Sequence, residues 1–378
     1  MPGFISMALA FVAMIGVAYT LAATALAGRW RPHGPAEAPA DAPSITMLKP
    51  LHGPEPMLEE KLRGFLDQDY PASIDMVCGI ADPTDPAADV VRGMQAKLTK
   101  LTLVADDRRA GSNGKISNII NMMSTETAPL LILSDSDMAV SRDYAARITA
   151  EMAKPGVGAV TLLYAGRGDA GGWSKFAAAG ISWGFLPSVM IGLATGMAHP
   201  CMGSTIAIRR ETLDAIGGFA RFKDLLADDH AIGAAVREAG LSVVVPPMIV
   251  THGSTETSLA ELVAHELRWN ATVRMLDPAG YAGSVVTYPT AFALLAVIAG
   301  AGWWVLVAAL LSRLALAARI DYGVGRRTAP LWWLPARDLL SFGLYLGAFF
   351  TRRVDWRGSR LHMADDGRMT AETETRYP

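Results

Sequence analysis

The chain has 378 residues, room for one large domain or two together with membrane segments. Its 34 basic and 36 acidic residues nearly cancel, which excludes the strongly basic footprint of a general nucleic-acid binder. Hydrophobic residues make up 51% of the chain, and the excess gathers at the two ends. Two cysteines, Cys78 and Cys201, make neither a zinc pattern nor a disulfide framework and read as reduced thiols in a cytosolic domain.

Phe4 to Ala27 is uncharged and long enough to span a bilayer as a helix. Ala25-Leu26-Ala27 resembles a signal-peptide cleavage site. However, no basic residue precedes the apolar run, and the run exceeds a signal-peptide core, so it reads as a retained anchor. Arg29 and Arg31 follow, which places that end of the helix on the cytoplasmic side. Pro32 to Pro43 is a Pro/Ala-rich linker.

Strands and helices then alternate. Strands are expected at Ser44–Leu48, Ile74–Ile80, Leu101–Val104, Leu130–Leu133, Val157–Leu163, Thr205–Ile208 and Leu241–Val245. Helices are expected at Pro56–Leu66, Pro86–Lys97, Ile116–Met123, Asp143–Met152, Glu211–Ile216, Asp228–Ala239 and Ser258–Arg274. This order predicts a mostly parallel sheet covered on both faces. Trp173 to Ala198 holds one charge, Lys175, and is open to three readings: a buried helix pair, a span, or a segment at the membrane surface. Pro278 to Ser312 has no charge at all and exceeds a single span of about 20 residues. Ala299-Gly300-Ala301-Gly302 divides it, which suits a helical hairpin. Leu331 to Thr351 is apolar apart from Arg337-Asp338, read as pairing with each other or as lying at the interface.

The chemistry centres on Leu130-Leu131-Ile132-Leu133-Ser134-Asp135-Ser136-Asp137. Four apolar residues fit a strand buried on both faces. Ligands of open α/β sheets bind beyond the carboxyl ends of the strands. Asp135 and Asp137 therefore stand at the lip of a site, where carboxylates suit Mg2+ or Mn2+ bridged to substrate phosphates. Read alone, the pair is equally an acidic turn that ends a strand. Asp82 and Asp229 also fall where a strand ends or a helix begins. Transfer of a sugar from a nucleotide diphosphate needs such groups to hold the nucleotide, to offset charge on the leaving diphosphate and to deprotonate the attacking hydroxyl.

These motifs resemble glycosyltransferase family 21, the family of ceramide glucosyltransferases. Its spaced aspartate signature is matched by Asp82 in Ala-Asp-Pro-Thr-Asp-Pro-Ala, by Asp135 in Ser-Asp-Ser-Asp and by Asp229 in Ala-Asp-Asp-His. The closing Gln/Arg-x-x-Arg-Trp is matched at Arg268-Trp269, with His265 in place of Gln or Arg. The likeness extends to Leu48-Lys49-Pro50-Leu51, to Asn113–Asn118 with Lys115, and to Trp356-Arg357-Gly358-Ser359-Arg360. His265-Glu266-Leu267-Arg268-Trp269, His199-Pro200-Cys201-Met202-Gly203-Ser204-Thr205 and Asp277-Pro278-Ala279-Gly280 resemble the bacterial hopanoid biosynthesis-associated branch.

The resemblance implies an α/β GT-A catalytic domain with N-terminal and C-terminal transmembrane helices. The expected division is an anchor at 1–28, a linker at 29–43, the GT-A domain at 44–277, a membrane region at 278–351 and a polar tail at 352–378. It implies an inverting, UDP-sugar-dependent hexosyltransferase acting on a lipid hydroxyl, with N-acetylglucosamine passing to a bacteriohopane polyol. The alternatives are glucose transfer to ceramide, a processive polysaccharide synthase, or a non-catalytic scaffold. The implied location is a bacterial inner membrane with the catalytic domain cytoplasmic, and no nucleic-acid partner. Carried over, Asp82 contacts uracil or ribose, Lys115 lies near the nucleotide, and Asp135 and Asp137 hold ribose and Mg2+ or Mn2+. Asp229 is the base, with its neighbour Asp228 open as an alternative. Arg268 and Trp269 close on the donor diphosphate or the acceptor, with Arg268 as the charge partner, and His265 binds the donor. Beside these stand plainer roles: turn acids for Asp82 and Asp85, a helix cap for Asp228 or Asp229, packing or interface anchoring for Trp269, and a solvated helix start for Lys115. His230 and His252 have no expected role.

Overall fold

The structure, a computed structural model, describes residues 3–30, 37–125 and 127–351, and the backbone of 353–356, 359–363 and 369–371. Arg31 with the first part of the linker, and much of the tail, lie outside the described residues. In chain order the helix α1 (Phe4–Leu26) precedes an alternation of β1 (Ile45–Pro50), α2 (Leu58–Leu66), β2 (Ile74–Ile80), α3 (Pro86–Gln95), β3 (Leu101–Ala105), α4 (Gly114–Met122) and β4 (Leu130–Leu133). There follow β5 (Met138–Ala139), α5 (Tyr144–Met152), β6 (Val157–Thr161), β7 (Leu163–Gly168), α6 (Gly172–Gly180) and α7 (Leu186–Thr195). Then come β8 (Ile206–Arg209), α8 (Arg210–Ala215), α9 (Asp228–Glu238), β9 (Ser242–Val244) and β10 (Ile249–Ser254). The rest is helical, with α10 (Leu259–Leu276), α11 (Pro278–Gly283), α12 (Pro289–Ile298), α13 (Trp304–Val324) and α14 (Leu334–Ala348). Within the expected tail, the backbone of Ser359–Met363 pairs antiparallel with that of Met369–Ala371.

The chain divides into two compact units. The first comprises Met1–Arg31, Tyr164–His199 and Ser254–Asp355; the second comprises Pro32–Leu163, Pro200–Gly253 and Trp356–Pro378. Residues 164–199 and 254–277, inside the 44–277 stretch of the sequence reading, thus cluster with the apolar helices.

The second unit holds a seven-stranded sheet in the order β3-β2-β1-β4-β8-β6-β9. The pairs β1–β2, β2–β3, β1–β4 and β6–β9 are parallel, and β8 runs antiparallel between β4 and β6. Every residue of β1 and β4 is buried; β4 reads as an unbroken apolar run, while β1 carries Thr46 and Lys49 among its apolar residues. On one face Leu48, Val77, Leu131 and Ile208 pack with Ile116, Ile119 and Met122 of α4 and Ile232 and Val236 of α9. Cys78 on β2 and Cys201 are both buried. The chain steps outward from β1 to β3 and then returns to place β4 on the other side of β1. Leu48 pairs with Leu133 and Pro50 with Gly79, so three strands end together at that reversal.

The first unit is a helical assembly. Two of its helical runs, Phe4–Arg29 and Gly172–Thr195, are long and apolar enough to cross a membrane. The second run absorbs Pro187 after a π turn, Ile181–Phe185. Pro278–Thr287 and Pro289–Ile298 form a pair bent by 61° that qualifies only if counted as one span. Small residues let α1 approach α12 and α13: Ala13, Val17, Ala293, Val305 and Ala309 form one cluster. Gly300, at φ 97, makes the break between α12 and α13, as its position in the sequence suggests. Trp303 and Trp304 beside it are exposed, as are Phe4, Phe11 and Leu311. Arg337 and Asp338 do not pair with each other. Adjacent residues on a helix point apart; Arg337 Nη2 donates to Glu266 Oε2 at 2.5 Å, and Asp338 accepts from Arg313 Nε and Nη2 at 2.9 and 2.7 Å.

Candidate active site

The reversal of strand order between β1 and β4 is a topological switch point, where α/β sheets open a crevice for ligands. β4 ends at Leu133 and delivers Ser134, Asp135 and Asp137 to that point. Lys49 of the neighbouring strand lies beneath them, 1% exposed. Its Nζ donates to Ser134 Oγ at 3.0 Å and to the Asp135 carbonyl at 2.9 Å, and sits 3.3 Å from the centroid of the Phe65 ring. Burial pushes the Lys49 ammonium down to about 7, against the pull of Glu55, Asp135 and Asp137.

Lys115 gathers acids from two segments. Asn113 caps α4 by accepting from the Ile116 amide, and α4 then presents Lys115 from its first turn. Lys115 Nζ is 2.7 Å from Asp135 Oδ1 and 3.5 Å from Asp228 Oδ2. Burial raises the Asp228 carboxyl, with Lys115 opposing; the Asn113 amide donates to Asp228 Oδ1 at 3.3 Å. The next residue is placed differently. Asp229 is only half-buried, and its oxygens accept from the Gly203 and His230 amides at 3.0 and 2.7 Å. Gly203 also accepts from the Asp135 amide at 3.0 Å. A Cβ at Gly203 would lie 2.6 Å from Asp135 Oδ2 and 2.9 Å from Lys115 Nζ, so only glycine lets the backbone come this close.

On the other side of the acidic loop, His252 on β10 is buried with Nε2 3.2 Å from Asp137 Oδ2. β10 reaches it by pairing antiparallel with β5, His252 opposite Met138. Burial alone would raise the Asp137 carboxyl; His252, then Lys61 and Lys49, outweigh it and hold the group at about 2. A buried Lys61–Glu55 pair at 2.9 Å lies behind this loop. Among the described residues, no three His, Cys, Asp or Glu side chains form a ready metal site. The residues still fit a divalent ion of the Mg2+ or Mn2+ kind. Asp137 Oδ1 is buried with no hydrogen-bond partner, beside a second carboxylate, and such ions take few protein ligands when phosphates complete the shell.

Asp82 follows β2, two strands from β4, and is exposed. Its Oδ1 accepts from the Thr84 amide and hydroxyl at 2.8 and 2.6 Å, bonds that hold its carboxyl below the usual range. Asp85 is buried, caps α3 and accepts from the Gly53 amide at 2.7 Å, so it ties two loops together. Lys115, Asp135, Asp137 and Asp229 are thus brought into one cluster of the second unit, while His265, Arg268 and Trp269 lie on α10 of the first. There His265 Nδ1 is 2.6 Å from Glu256 Oε1, and its ring lies tilted by 60° against that of Trp269 one turn on, centroids 4.3 Å apart. Lys49, Asn113, Gly203 and His252 are site residues without an assigned role in the sequence reading. Lys49, Asn113 and Gly203 fall inside stretches that carry the family likeness, whereas no signal pointed to His252.

Residues 8–369 match the model of glycosyl transferase family 21. Ceramide glucosyltransferase 3 of Caenorhabditis elegans is 23% identical over 253 residues, 64% of this chain and 53% of that protein. Ceramide glucosyltransferase 1 of the same organism is 21% identical over 243 residues, 64% of this chain and 52% of its own length. The chain therefore spans about half the length of the curated relatives it matches. Among solved structures, the mannosyltransferase PcManGT from Pyrobaculum calidifontis, in complex with GDP-Man and Mn2+, superposes with a TM-score of 0.51 at 21% identity. The match covers 90% of this chain and 98% of that one and is a likeness of fold.

Proposed function

The chain belongs to glycosyl transferase family 21, and on that premise we propose a membrane-bound hexosyltransferase that moves a sugar from a UDP-sugar to a lipid hydroxyl with inversion. The observation that carries this reading is the Asp135/Asp137 pair at the switch point of the sheet, with one buried carboxylate oxygen left without a partner. Asp137 through Oδ1, and Asp135, would hold Mg2+ or Mn2+, which when bound supplies positive charge against the leaving diphosphate. Lys115 orients Asp135 and adds a fixed cation near the nucleotide. Asp82, already turned outward by Thr84, would meet the uracil or ribose.

Asp229 takes the proton of the acceptor hydroxyl. Two backbone amides fix its plane, and it remains accessible. Asp228 is buried against Lys115 and Asn113, which supports Asp229 over its neighbour. The family motif on α10 assigns Arg268 and Trp269 to the diphosphate or the acceptor and His265 to the donor.

The hopanoid-branch motifs favour N-acetylglucosamine transfer to a bacteriohopane polyol. The names of the two curated relatives favour glucose transfer to ceramide as a second reading. Arg29 after α1 supports a catalytic unit on the cytoplasmic side of a bacterial inner membrane. Mass spectrometry of lipids from cells with and without the protein tests the reading. Loss of one hexosylated lipid class is expected, and an unchanged profile with no UDP release from either donor on either acceptor would overturn it.

A further inference from the structure

The first unit contains a buried cation whose bonding is incomplete. Arg337 on α14 is 3% exposed. Its Nη2 donates to Glu266 on α10, while Nε and Nη1 are buried with no acceptor. The guanidinium lies over the Phe176 ring of α6, 5.4 Å from its centroid, and against the bare backbone of Gly180, where any side chain would overlap Nη2. Apolar side chains of the same three helices, Ala177, Leu262 and Leu344, pack as one cluster. Burying guanidinium donors without acceptors is costly, and the cost is recovered when a ligand or a water supplies them.

We propose that Arg337 is a recognition site for the polar head of the lipid acceptor, in which Nε and Nη1 each donate to a separate neutral hydroxyl or amide oxygen. This rests on the reading of the chain as a lipid glycosyltransferase. The charge balance selects the ligand class: Glu266 already neutralises Arg337, so an added anion would carry an unmatched charge into an apolar cluster. The two unfilled donors leave one plane by different edges, so they fix the spacing and direction of two oxygens, which a single ammonium does not. Phe176 and the cluster around it suit the acyl or polycyclic part of the same molecule.

The test uses the full chain in nanodiscs without donor, with tritiated short-chain ceramide and tritiated bacteriohopane polyol as probes. Saturable binding of at least one probe is expected. Arg337→Lys, which keeps the charge beside Glu266 but loses the planar donors, should weaken it at least tenfold and leave UDP affinity unchanged. Gly180→Ala, which displaces the guanidinium while keeping Arg337, should do the same and guards against an Arg337 variant that fails to fold. Unchanged lipid affinity in both variants overturns the site, because the two donors then serve water. Parallel loss of lipid and UDP affinity in both overturns it too, as a purely structural role. Weakened binding in the variants without any sugar transfer by the natural chain supports the site and counts against the proposed reaction.

Discussion

In the first unit the Arg313 guanidinium spends three nitrogens, two on Asp338 and one on the Trp183 carbonyl at 2.8 Å, and Asp338 takes a further bond from Thr290 at 2.7 Å. In the second unit the acids around β4 are served unevenly. Asp135 and Asp228 share Lys115, Asp137 gives one oxygen to His252, and its other oxygen has no partner. The first arrangement is closed: every charge is answered by the fold, as expected of a network that fixes helix positions. The second is open and carries more carboxylate than the chain neutralises, as expected where a cation and a phosphate are to arrive. Completeness of bonding, rather than burial or charge, separates the structural cluster from the chemical one.

The sharpest way to break this contrast is to remove one partner from the closed network. Arg313→Met strands a buried carboxylate and should cost about 3–5 kcal/mol of stability. The paired Arg313→Met/Asp338→Leu change should recover most of it. Thermal unfolding of purified protein checks both, and equal melting for the single and double variants would show that the network is not closed. Next comes the open cluster. Excess EDTA, or Asp137→Asn, should lower turnover by a few hundredfold, about 3 kcal/mol of transition-state stabilisation, with folding intact and Mn2+ restoring the chelated enzyme. Full turnover in EDTA would remove the metal. Asp229→Asn should then cost at least ~10²-fold in sugar transfer, with UDP affinity within a few-fold. If activity survives there and is lost in Asp228→Asn, the base moves by one residue. An α-linked product would rule out single displacement.

The smallest effect, per pH unit, belongs to Lys49. Its ammonium is held at about 7 by burial, below the ordinary 10.5. Between those values the unfolded chain binds more protons than the folded one, so this group makes stability rise with pH by about 1 kcal/mol per unit. Below pH 7 its contribution is flat. Denaturant titrations at several pH values should show the slope in the natural chain and not in Lys49→Met.

The acidic stretch after β4 was readable because its signals are local. An apolar run, a turn and two carboxylates lie within eight consecutive positions, and Asp229 opens a helix that its own flanks announce. Lys49 and His252 were not readable for the opposite reason. Lys49 meets Ser134 across 85 positions, and His252 meets Asp137 only because β10 pairs with β5, a strand of two residues. Pattern reading assigns faces to single elements and is silent about which side chain of another element faces them. The same limit explains Arg337 and Asp338, adjacent in sequence and paired with two different helices. It also explains why a continuous 44–277 stretch is shared between two units: the apolar Gly172–Thr195 run follows the composition of the membrane helices and not its neighbours in the chain.

Cys78 and Cys201 have a practical consequence. Burial raises both thiols, Cys78 to about 12, so neither offers a thiolate to an alkylating reagent at neutral pH. The natural chain is therefore a silent background for site-directed labelling, with no cysteine to remove. A single reporter at Glu59→Cys, on the exposed face of α2, gives up only a surface pair with Arg63. In intact spheroplasts an impermeant maleimide should leave it unmodified, and should modify it once the membrane is opened. Efficient labelling before opening would place the catalytic unit on the outer side.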